Sequence, residues 1–213
     1  MKNILRAYQK WKEFLWIGGV AAAIITLLVM GARASQKNVT TITNPGSLRG
    51  IQASGAPWPV ESTRLRERLD QIGLPALAQE GTALHIHQHL DIFIDGKPIA
   101  IPAGVGVNAV AGFISDIHTH DASGIIHVES PVQETFTLGQ FFDIWGVAFT
   151  AQRIGGYQNQ GSRSLKVFAN GSLYSGDPRQ LALASYQEII IAYGTDQELP
   201  NPIPSTYNFP VGY

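Results

Sequence analysis

The chain has 213 residues, with 15 Lys+Arg against 16 Asp+Glu, 45% hydrophobic and 15% charged residues, and no cysteine. This composition excludes a disordered polyelectrolyte and a disulfide scaffold; without a thiolate it also excludes iron–sulfur clusters and thioredoxin-like chemistry. The near-zero net charge hides a basic head, where Lys2, Arg6, Lys10, Lys12, Arg33 and Lys37 face the single acid Glu13, on an acidic body, an asymmetry that points to a membrane and away from nucleic acid.

The uncharged run FLWIGGVAAAIITLLVMGA occupies residues 14–32, close to the ~20 residues an α-helix needs to cross a hydrocarbon core. Basic residues concentrate before it, so the positive-inside bias keeps residues 1–13 cytoplasmic and exports the rest. Ala32-Arg33-Ala34 also matches a signal-peptidase site, but the apolar run exceeds the ~7–15 residues of a signal h-region, which favours a retained single-pass signal anchor in the cytoplasmic membrane. Residues 33–60 are rich in Gly, Ser, Thr and Pro and form a linker.

Within 61–80, Leu65, Leu69 and Ile72 recur at helical spacing behind Ser62 or Thr63 as N-cap, with Gly73 and Pro75 ending the pattern. An amphipathic helix is expected, with Arg64, Arg66 and Arg68 on its solvated face. From residue 81 the pattern changes to short β-like runs. LHIHQHLDIFIDGKPIAIP predicts two strands joined at Asp95-Gly96, with Pro98 placing the second strand at an edge. SDIHTHDASGIIHVES predicts a second hairpin turning at 121–124. FTLGQFFDIWGVAF predicts a short helix capped by Thr137, with Phe141, Phe142, Ile144 and Trp145 on its buried side. SLKVFANGSLYS predicts a hairpin at Asn170-Gly171, and QEIIIAYG a further strand. The tail at 195–213 contains Pro200, Pro202, Pro204 and Pro210 and is expected to run extended over the domain. The fold class is therefore α+β, a small β-rich domain (81–194) of antiparallel hairpins with one or two short helices, placed outside the membrane.

All six histidines fall in this domain: His85, His87, His89, His118, His120 and His127. Alternation along a strand puts His85, His87 and His89 on one face, and likewise pairs His118 with His120. A four-residue turn at 121–124 sets His120 opposite Ile125 and His118 opposite His127, and also faces Asp116 with Glu129. A three-residue loop with a bulge would move His127 to the other face. Imidazoles converging from neighbouring strands supply the nitrogen donors that zinc and copper accept. All six histidines are candidate ligands, and Asp91, Asp116, Asp121 and Glu129 are candidates to orient the rings, add an oxygen ligand or handle protons. Asp121 also has a plain turn role. No G-x-S-x-G elbow, H-E-x-x-H helix or phosphate loop is present.

The strings HIHQHLDIFIDGKPIAIPAGVGV, IHTHDASGIIHVESP and FTLGQFFDIWGV, with the later LKVFANG and GDPRQLAL, resemble a family of exported, membrane-tethered prokaryotic proteins. The resemblance covers about residues 83–194 and implies that the histidine segments belong to one domain. It carries no reaction, substrate or partner. Residue chemistry therefore predicts a membrane-anchored, extracytoplasmic copper- or zinc-binding protein for metal storage, delivery or sensing. The alternatives are a metal-dependent enzyme with an open three-histidine site, a pH sensor, and an accessory subunit of a membrane protein complex docking through Phe141, Phe142, Trp145 and the tail.

Overall fold

The longest stretch of alternating residue character, LHIHQHLDIFI, forms the longest strand, β1 (Leu84–Ile94). One face carries Leu90 and Ile92, each 1% exposed, with Ile86, Gln88 and Ile94; the other carries His85, His87, His89 and Asp91. The computed structural model describes residues 45–213. The expected cytoplasmic stretch (1–13), the anchor (14–32) and the start of the linker (33–44) lie outside the described residues. Among the described residues, no helix is long and apolar enough to cross a membrane.

Strand β1 is central to a seven-stranded sheet. Its first half pairs antiparallel with β6 (Ile125–Ser130), which pairs in turn with β5 (Ile117–His118). Its second half pairs with β2 (Lys97–Ile99) through the Asp95-Gly96 turn, whose φ angles of 52° and 75° suit the tight hairpin predicted there. Pro98 lies on β2, which among the described residues pairs with β1 alone and so forms an edge where proline is tolerated. On the other side β1 pairs in parallel with β12 (Glu188–Gly194), followed by β10 (Ser164–Ala169) and β11 (Ser172–Leu173). That parallel pairing is a departure from the expected set of hairpins, because it joins segments almost a hundred residues apart. Two small ribbons complete the strands: β3 (Val107–Asn108) with β4 (Phe113–Ile114), and β7 (Phe149–Thr150), β8 (Arg153–Ile154) and β9 (Tyr157–Gln158). Among the described residues the result is a β-rich α+β fold with two α-helices and antiparallel hairpins.

Both helices join the apolar core. In α1 (Leu65–Ile72), Leu65, Leu69 and Ile72 are buried, and Gly73 caps the C-terminus in the left-handed region. Its start differs from expectation. Arg64 takes the N-cap position, and the Glu61 carboxylate, in place of Ser62 or Thr63, accepts the Arg64 N–H at 3.2 Å. Arg68 is fully buried instead of solvated: its guanidinium pairs with Glu61 and donates to the carbonyls of Arg49 (3.1 Å) and Ile144 (2.9 Å). Burial of this cation is stable because a carboxylate and several carbonyls replace water around it.

Thr137 closes a capping box with Gln140 at the start of α2 (Leu138–Trp145). All eight residues of α2 are buried, and Phe142 stacks on Phe149 at 4.2 Å while Trp145 meets Trp58 edge-on at 6.0 Å. Phe141, Phe142 and Trp145 are therefore core residues and not a docking face, since each is at most 1% exposed. The tail begins with a turn at Asp196–Glu198 and returns over the histidine face of the sheet, where Tyr207 stacks on His89 at 3.7 Å and Tyr213 lies 4.8 Å from His87, ring centre to ring centre.

Candidate metal centre

Register brings the histidines together. His87 on β1 pairs with His127 on β6, and His127 pairs on its other side with His118 on β5, so three imidazoles occupy one row across three adjacent strands. Two residues along, His85 pairs with Glu129. Because side chains two apart share a face, all five groups project to the same side. The expected facing of His118 and His127 is realised, and the Glu129 N–H donates to the Asp116 carbonyl at 2.8 Å. Pairing stops at His118, however, so His120 lies on the following bend instead of opposite Ile125. Thr119 holds that bend: its hydroxyl donates to the Pro102 carbonyl (2.8 Å) and accepts from the Val105 N–H (3.1 Å). At the other end of the bend, Gly124 has φ +88°, and a Cβ there would stand 2.6 Å from the Leu90 carbonyl oxygen, so glycine is required for the bend to close onto β1.

The donor atoms converge in pairs. His85 Nε2 and His87 Nε2 are 3.2 Å apart, and His118 Nε2 and His120 Nε2 3.1 Å. Nitrogens bound to one ion at ~2.0–2.1 Å in a tetrahedral arrangement sit about 3.3 Å from each other, so each pair has the spacing of two ligands on one ion. Glu129 lies among them, with Oε1 3.3 Å from His85 Nε2 and 3.1 Å from His127 Nδ1, and Oε2 3.8 Å from His118 Nε2. Glu80 reaches in from the loop before β1, its Oε1 3.4 Å from His120 Nε2. The outer side chains are solvent-accessible, with His85 at 55%, His120 at 44% and Glu80 at 47%, whereas those of His118 and Glu129 are at 0% and 6%. The centre is thus a buried floor with an open mouth.

Resistance to protonation leaves nitrogens of the buried rings free to donate electron pairs. Burial, with repulsion from neighbouring imidazoles, pushes His118 down to about 4 and His127 down to about 3, and lowers His87 as well. The His118 Nδ1–H donates to the Ser115 carbonyl at 3.0 Å, which selects the tautomer whose Nε2 lone pair faces the centre. Glu129 is pushed up to about 7 by burial and by the neighbouring Glu80. His118 and His127, neutral beside a carboxyl that resists ionisation, bring no positive charge of their own, and a bound metal cation would supply it. The downward shifts take His118 and His127 out of the near-neutral range in which an imidazole pH sensor titrates.

His89 stands apart, in a separate group with Asp91 and Glu188. Its Nδ1 is 2.9 Å from Glu188 Oε2 and its Nε2 3.0 Å from the Ser123 carbonyl, so both ring nitrogens face acceptors. Burial opposes a charge on this ring, but the hydrogen bond and charge of Glu188, with Asp91 and the Ser123 carbonyl, outweigh it and raise its pKa. His89 is thereby held with a hydrogen-bond acceptor at each ring nitrogen. Asp121 holds the bend, accepting the Ser123 N–H at 2.9 Å, and Asp116 is buried beside Glu129 without joining a ligand group among the described residues. Sequence reasoning missed Glu80, Glu188, Tyr207 and Tyr213. Glu188 alone had a local signal, a carboxylate opening an otherwise apolar strand.

Among the described residues, three groups are able to hold a metal ion: His118, His120, His127 and Glu129; His85, His87 and Glu129; and His89, Asp91 and Glu188. No known family model, curated protein or solved structure matches the chain.

Proposed function

We propose that this is a copper- or zinc-binding protein, tethered to the cytoplasmic membrane by residues 14–32 with its histidine domain outside, that stores, delivers or senses the metal. The observation that carries the proposal is the row of His87, His127 and His118 on three paired strands with Glu129 beside it. Copper is favoured because Cu(II) has the greater affinity for nitrogen donors, while zinc suits a tetrahedral three-histidine set. The basic residues before the apolar run support the orientation. The test is elemental analysis of the full-length chain purified without chelators. Wild type retains copper or zinc, and His118→Ala with His120→Ala loses it. A metal-free wild type whose thermal stability ignores added copper and zinc would overturn the reading.

The open mouth formed by His85, His120 and Glu80 favours a second reading, a metal-dependent enzyme in which solvent completes the coordination of a three-histidine ion and Glu129 or Glu80 handles protons. X-ray absorption on the loaded protein separates the two: three histidines plus a solvent oxygen support the enzyme, and a closed shell of protein ligands excludes it.

A further inference from the structure

Resting on the reading of this cluster as a metal centre, we infer that it holds two ions, one on His85 and His87 and the other on His118, His120 and His127, with the Glu129 carboxylate bridging them. Three observations carry this.

First, the imidazoles divide. The contacts at ligand-to-ligand spacing are within each pair, His85 with His87 at 3.2 Å and His118 with His120 at 3.1 Å. The two ligand groups that these pairs define share Glu129 and no other residue. Five rings around one ion would instead give a single set. His127 sits between the pairs, its ring centre 4.3 Å from that of His120 and 4.6 Å from that of His87, and completes the group of His118 and His120.

Second, the Glu129 carboxylate touches both donor sets. Oε1 is 3.3 Å from His85 Nε2 and 4.0 Å from His87 Nε2 on one side and 3.1 Å from His127 Nδ1 on the other, and Oε2 is 3.8 Å from His118 Nε2. A carboxylate that contacts both donor sets and belongs to both groups is placed to link ions at the ~3.5–4 Å separation of two-metal sites.

Third, negative charge is supplied where two cations would repel. Glu129 lies between the sets, and Glu80 Oε1 approaches His120 and His118 at 3.4 and 3.9 Å. The donor sets are unequal, three imidazoles against two, so the ions bind in order, first at His118, His120 and His127.

The experiment is a titration of Cu(II) into the metal-free full-length chain, with bound copper counted by equilibrium dialysis and the electron paramagnetic resonance spectrum recorded at each step. The expected result is two ions per chain. The first gives the spectrum of isolated Cu(II), and the second converts it to a spin-coupled spectrum with a half-field transition. His85→Ala with His87→Ala is expected to bind one ion and to keep the isolated spectrum. A wild type that saturates at one ion overturns the two-ion centre but leaves the metal-site reading standing; a wild type that binds none overturns that reading itself. Two ions that stay magnetically isolated overturn the bridge, and a double variant that still binds two overturns the assignment of ligands. Should the double variant not fold, the wild-type count and spectrum decide alone.

Discussion

His118 offers a substitution that separates its two ring nitrogens. Its Nδ1–H donates to the Ser115 carbonyl at 3.0 Å, and its Nε2 faces the centre. In His118→Asn the amide nitrogen occupies nearly the place of Nδ1, so the hydrogen bond to buried Ser115 is kept while the ligand atom is removed. In His118→Gln the amide reaches the place of Nε2 and the Ser115 bond is lost, leaving a buried carbonyl unsatisfied at a cost of about 1–3 kcal/mol. A metal at 100 times its Kd stabilises the folded state by about 2.7 kcal/mol, which raises Tm by roughly 5–11 °C for a domain of this size. Groups that only orient a ligand are worth roughly 10–100-fold in affinity, so loss of the ligand itself weakens binding by about 100-fold or more. At the same metal concentration His118→Asn then gains only about 0.4 kcal/mol, or about 1 °C. The assay is thermal unfolding with and without Cu(II) or Zn(II). Wild type is expected to show the full shift and His118→Asn almost none, with His118→Gln less stable than both when metal is absent. A His118→Asn protein that keeps the full metal-induced shift refutes the assignment of Nε2 as a ligand.

Two further predictions concern the metal-free protein and its core. His118 binds its proton near pH 4 in the fold, against 6.5 for an ordinary imidazole, so the unfolded chain takes up protons first and stability falls as pH drops from 6.5 to about 4. His118 alone accounts for roughly 3 kcal/mol of that loss, while Glu129, held up at about 7, acts in the opposite direction between pH 7 and 4.5. Urea unfolding of metal-free wild type and His118→Asn isolates the His118 share, and parallel stability curves for the two would contradict it. Away from the centre, Asp143 pairs with Arg179 at 2.7 Å with side chains 2% and 9% exposed. Asp143→Ala leaves that guanidinium buried without its carboxylate and should cost about 3–5 kcal/mol in urea unfolding, with the number of bound metal ions unchanged; a loss below 1 kcal/mol would show that the pair is dispensable.

Much of the local architecture is legible in short stretches of residues. Asp95-Gly96 and Asn170-Gly171 adopt the positive φ angles that their turn chemistry requires. Thr137 caps its helix, and Gly73 ends the one before it. The facing of His118 with His127 is the register expected for a four-residue turn, although the connection formed is longer and leaves His120 unpaired with Ile125. Arg68 defeats the same kind of reasoning. Its spacing places it among charged neighbours, and burial becomes favourable only because Glu61 and the carbonyls of Arg49 and Ile144 meet around it. Likewise Phe141, Phe142 and Trp145 form an apolar stripe whether they face a partner or a core; Trp58 and Phe149, distant in the chain, make them core.

The sequence by itself determined that this domain is rich in short strands, that its histidines share strand faces, and that any metal it binds must use nitrogen and oxygen donors, because each of these depends only on residue type and on periods of a few residues. Tertiary structure alone decided which histidines meet. The parallel pairing of β1 with β12 placed Glu188 beside His89 and engaged both nitrogens of that ring. Antiparallel pairing with β6 set Glu129 between the remaining five. The physical reason is that coordination requires donor atoms to agree in position to within an ångström, and strands remote in sequence acquire that agreement only when the whole sheet is assembled around one core.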